Sequence, residues 1–80
     1  MNRFELIGKV VGYGTSSNND WIEINTGEDS ITVYLEDNDL SYYEENYNLH
    51  GSHKIKVTGY MKPNNQNDDV TLIATFIEVK

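Results

Sequence analysis

The chain has 80 residues, no cysteine and a formal charge of −7. That length suits one domain over residues 1–80, the missing thiols exclude disulfides and thiolate metal sites, and the charge removes any global attraction for a polyanion. No apolar run approaches the ~18 residues of a membrane span, and Arg3 followed by Glu5 with no long apolar stretch is not a secretory signal, so no membrane partner and a cytoplasmic location are expected.

A first strand is predicted over residues 4–13, rich in β-branched and apolar side chains, with Gly8 and Gly12 marking bulges or bends. Residues 14–20 (Gly-Thr-Ser-Ser-Asn-Asn-Asp) have turn composition and read as a loop. Residues 21–25 alternate, with Ile22 and Ile24 on one face and Trp21, Glu23 and Asn25 on the other. A turn at 26–29 leads to a second alternating run over 30–36, where Ile31, Val33 and Leu35 face inward and Thr32, Tyr34 and Glu36 outward; together they predict a hairpin.

A short helix is predicted over 41–48. Ser41 and Glu44 have capping-box spacing, Leu40, Tyr43 and Tyr47 recur at helical spacing, and Gly51 stands at the expected stop. So short a helix is not stable alone, so its apolar stripe must cover the end of something apolar. Residues 53–62 form a fourth strand, with Ile55 and Val57 inward and Lys54, Lys56, Thr58 and Tyr60 outward. A polar loop over 63–69 precedes a fifth strand, 70–79. Few antiparallel strands leave costly edges unless they close. An all-β, five-stranded Greek-key barrel with one short helix between strands 3 and 4 is the order of the OB-fold.

Three segments also resemble a family. Asn2-Arg3-Phe4-Glu5-Leu6-Ile7-Gly8-Lys9-Val10 resembles the first strand of bacterial single-stranded DNA-binding proteins. Lys54-Ile55-Lys56-Val57-Thr58-Gly59-Tyr60-Met61-Lys62 resembles their fourth strand, and Leu72-Ile73-Ala74-Thr75-Phe76-Ile77-Glu78-Val79 their closing strand. The chain is shorter than that family's usual domain, and its middle hairpin does not match theirs in detail. The resemblance implies that the first strand pairs with the fourth. Arg3, Lys9, Lys54, Lys56 and Lys62 would then lie on adjacent strands as one basic patch, while the carboxylates of residues 36 to 45 go to the helix and its entry.

Aromatic rings supply the second ingredient of a single-strand binder. Trp21, Tyr34 and Tyr60 have outward parity, and Tyr13 ends the first strand; either they stack on bases or they pack beneath the two polar loops. Those loops correspond to the pair that borders the ligand groove of OB-folds, where flexibility would suit closure. Glu23 and Glu36 share the face, so either bases rather than phosphates cross it or it does not bind nucleic acid.

Tyr42, Tyr43 and Tyr47 are expected in the core and helix cap rather than in a ligand cage. His50 and His53 lack a third ligand, so no metal is expected; no cofactor is expected, and the paired carboxylates have no neighbouring nucleophile or base, so neither is an enzyme. The expected partner is single-stranded DNA, with RNA disfavoured because strands 2 and 3 carry no aromatic and basic run, and a homo-oligomer would add avidity. The rival expectation is an OB-fold protein-interaction module that docks a replication or repair protein.

Overall fold

The structure, a computed structural model, describes residues 2–49, 54–63 and 70–79. They form β1 (Arg3–Thr15), β2 (Asp20–Asn25), β3 (Ser30–Leu35), α1 (Leu40–Asn46), β4 (Lys54–Pro63) and β5 (Val70–Val79). The strands close in the order β1-β2-β3-β5-β4, with every pairing antiparallel except β3 to β5. This is the five-stranded OB-fold barrel with its helix between β3 and β4.

One strand serves two partners. Residues Arg3 to Lys9 of β1 pair with β4, and Lys9 to Thr15 pair with β2. Gly8 sits at the changeover, where a Cβ would collide with the Asn25 carbonyl oxygen, so only glycine permits the close approach. Past it the register shifts between Val10 and Gly12, leaving Val11 as the extra residue of a bulge. The hairpin of β2 and β3 turns through Gly27 at φ 104°, a conformation suited to glycine, and the Asn25 side chain accepts from the Gly27 N–H.

A second bulge lies in β5. Thr58 pairs with Phe76 and Gly59 with Ala74, so Thr75 is the additional residue. Gly59 is buried, and a Cβ there would overlap the Ile73 carbonyl oxygen. The shift turns Thr75 and Phe76 to the outside together, between the buried Ala74 and Ile77, and leaves Phe76 59% exposed.

Alternate residues fill the interior: Ile22, Ile24, Val33, Leu35, Ile55 and Val57 are fully buried. Each such burial is worth about 1.5–3 kcal/mol. The helix closes one end of this core, but not as the spacing predicts. It begins at Leu40 with Asp39 as N-cap and no side-chain cap, so Ser41 falls inside the first turn and the Ser41–Glu44 box does not form. The carboxylate of Asp20, brought in from β2, accepts from the Leu40 N–H at 3.1 Å instead. The helix ends at Asn46, before the predicted 48, which leaves Tyr47 as C-cap and 40% exposed; Leu49 takes the buried place expected of it. Tyr43 packs partly on the core, where burial, then the charge of Asp39, raises its hydroxyl pKa; Tyr42 meets it edge-on and Tyr47 stacks on it. His50, Gly51 and His53 lie outside the described residues, as do 64–69 of the second loop.

Candidate nucleic-acid interface

Strand register decides which outward residues become neighbours. Trp21 pairs with Tyr34, Tyr34 with Ile73, Ile73 with Tyr60, and Tyr60 with Arg3. Opposed residues on paired strands share a face, so these five form one belt across β2, β3, β5, β4 and β1. Adjacent strands are about 4.8 Å apart, so Tyr34 and Tyr60 stand roughly 10 Å apart with Ile73 between them.

Two of the rings are held by specific neighbours. Trp21 pairs on its other side with Gly14, and its indole lies over that glycine; a Cβ there would come 2.8 Å from the ring. The ring is thus half-buried rather than freely exposed. Tyr60 reaches across β5, and its hydroxyl donates to Glu36 Oε2 at 3.0 Å. That hydrogen bond, with desolvation and the nearby negative charge after it, raises the Tyr60 pKa and keeps the hydroxyl protonated. Glu36 therefore has a role that its outward parity alone did not reveal.

Beside the belt is a groove of about 400 Å³ between the β1–β2 loop and the adjoining ends of β4 and β5, walled by Ser16, Asn19, Tyr34, Lys62, Thr71 and Ile73. Its first wall is a loop bonded both within itself and to the end of β3 and the residues that follow it. Ser16 and Asn19 close a tight turn, with the Ser16 N–H donating to the Asn19 carbonyl at 2.9 Å. Asn19 donates to the Leu35 carbonyl, and Asn38, in the left-handed region at φ 52°, donates from its side chain to the Asn18 carbonyl and accepts from the Asp20 N–H.

The cations do not converge. β1 and β4 pair as the resemblance implied, and all five lie on them. Yet Lys54 begins β4 and Lys62 stands one residue from its other end, roughly 26 Å apart along extended chain, far beyond the ~8 Å reach of an exposed charge. Lys62 borders the groove and Arg3 ends the belt. Lys9 and Lys54 face each other at the far end, beside a separate cavity lined also by Ile7, Asn25 and Gly27. Lys56, between them, pairs with Glu5 at 3.5 Å. One patch is therefore replaced by two ends and a neutralised middle. Tyr13 is displaced as well: beyond the bulge it pairs with the buried Ile22, shares its inward parity, and lines a cavity with Glu45, Tyr47 and Leu49 at the helix end.

No protein-family model and no curated protein sequence matches the chain. Solved structures do. A chain from the crystal structure of the S. pombe Stn1–Ten1 complex matches all of this chain with a TM-score of 0.71 at 15% identity, and the match spans 59% of that longer chain. The N-terminal domain of PriB from Thermoanaerobacter tencongensis, a dimeric structure, matches 99% of this chain and 96% of its own with a TM-score of 0.60 at 20% identity. At such identities the likeness is one of fold, and the class it defines is the OB-fold barrel.

Proposed function

We propose that the protein is a non-catalytic module that binds single-stranded DNA across the belt. The observation that carries this reading is the alignment of Trp21, Tyr34 and Tyr60 in one register row beside the groove. OB-folds take oligonucleotides on the face of strands 2 and 3 between these two loops, and each base stacked on an aromatic ring contributes about 1–3 kcal/mol. Trp21 settled on Gly14 and Tyr60 tethered to Glu36 are rings whose freedom is already spent, so less ordering remains for the bound state. Lys62 and Arg3 flank the row and take phosphates. With so few cations the affinity rests on stacking, and the salt slope is shallow, about −0.7 per phosphate contacted. The likeness to chains of the Stn1–Ten1 complex and of dimeric PriB supports a module that works in an assembly, where a second copy or partner adds avidity.

The test is the fluorescence of Trp21, the lone tryptophan, titrated with poly-dT, poly-rU and duplex DNA at two salt concentrations. Quenching by the single strand and none by duplex is expected; no response to any nucleic acid from a folded protein refutes the reading. The second reading, docking of a replication or repair protein, is favoured by Phe76 and Ile7, 59% and 51% exposed on the wall of β5, β4 and β1.

A further inference from the structure

Resting on that reading of the belt, we infer that Glu36 selects the base stacked on Tyr60, favouring guanine, with its paired N–H donors, over thymine. Glu36 continues β3, its own N–H bonded to the Ala74 carbonyl at 3.0 Å, and its side chain crosses β5 to the Tyr60 hydroxyl. A carboxylate is therefore held at the rim of a stacking ring. Ionised, it only accepts, with about four lone-pair positions, and the Tyr60 hydroxyl occupies one of them. The residue is exposed, so the remaining positions are open to whatever lies on the ring.

What such an acceptor takes follows from the edges of the bases. Guanine offers N1–H and an exocyclic amine side by side, matched to the two oxygens of a carboxylate. Cytosine and adenine each offer one exocyclic amine; a carboxylate accepting from the cytosine amine is a known pairing. Thymine offers a single imide N–H between two carbonyl oxygens, which meet the carboxylate with like partial charge. A phosphate is repelled outright, which keeps the backbone of the strand off this part of the face and turns its bases inward. The carboxylate on the binding face, awkward for simple phosphate recognition, becomes its selective element.

The experiment measures binding of short single strands of alternating dT-dG, dT-dC and dT-dA against a dT homopolymer of equal length, for the parent chain, Glu36→Gln and Tyr60→Phe. The parent is expected to bind dT-dG at least roughly fivefold tighter than dT, in line with the lower end of a bidentate base contact. Glu36→Gln is expected to erase the difference from both sides, because an amide loses the charge that favours guanine and gains an N–H for a thymine carbonyl. Tyr60→Phe keeps the ring but frees the carboxylate, so the preference is expected to weaken while dT binding persists. Equal affinity of the parent for all four strands overturns the inference and leaves single-strand binding standing, and so does a dT-dG preference that survives Glu36→Gln. Failure to bind any strand removes the proposed function itself, and the inference with it.

Discussion

The rings run across the barrel, whereas the cations run along it. Trp21, Tyr34 and Tyr60 come from three strands yet occupy one row, while Lys54, Lys56 and Lys62 share one strand and are strung from end to end. Neighbours in sequence parity separate by about 6.6 Å at each step along a strand, but residues in register on paired strands stand within about 5 Å. A site is therefore assembled by pairing, and a run of like residues in one strand disperses instead.

The comparison is broken most severely at Gly59. A side chain there meets the Ile73 carbonyl, part of the backbone that sets the middle of the row, and backbone cannot yield as a flexible side chain does. Gly59→Ala is expected to cost more than about 3 kcal/mol in urea unfolding, or to prevent folding; stability close to that of the parent would show the bulge to be dispensable. Next come the rings. Trp21→Ala and Tyr34→Ala are each expected to lose about 1–3 kcal/mol of single-strand binding with the salt slope unchanged, and the double variant less than the sum, because the two are a cross-strand pair.

Smaller effects sharpen the contrast between the two cation ends. Lys62→Glu is expected to weaken binding several-fold and flatten the salt slope by about 0.7. Lys54→Glu, at the far end, is expected to leave binding alone and to stabilise the fold by about 0.2–1 kcal/mol, since it replaces a like-charged cross-strand pair with Lys9 by an opposite one. The slightest effect is in pH. The Tyr60 pKa is raised in the folded state, so its share of stability is whole below the usual tyrosine value of about 10 and fades as pH climbs through the folded value. A phenolate absorbance titration is expected to show Tyr43 and Tyr60 ionising late in the parent, and Glu36→Gln to bring Tyr60 alone back toward the usual tyrosine value.

Much of this was legible in the sequence. The strand order, the hairpin about Gly27 and the outward parity of Trp21, Tyr34 and Tyr60 follow from alternation and turn residues, and the pairing of β1 with β4 from the family resemblance. What escaped was produced by offsets of a single residue. The bulge at Val11 reverses the parity that would have placed Tyr13 with the other rings, and the one at Thr75 brings Phe76 to the surface. Gly12 hinted at the first bulge; nothing local marks Thr75, because Gly59, which makes room for the adjoining Ile73–Ala74 backbone, lies on another strand. Helix capping escaped for the same reason, since Asp20 is remote in sequence from Leu40. Charge segregation along the chain, finally, carries no information on how far apart strand ends lie.

The parallel pairing of β3 and β5 spans only Tyr34 with Ile73 and Leu35 with Ala74, the shortest ladder in the barrel. This zipper is the place where the cylinder would first unfasten, and the link from Glu36 to Tyr60 already straps it from outside. Any guest resting on both Tyr34 and Tyr60 becomes a second buckle. Occupancy should therefore be readable as slowed amide exchange around residues 34–36 and 73–75, even where the guest touches no backbone.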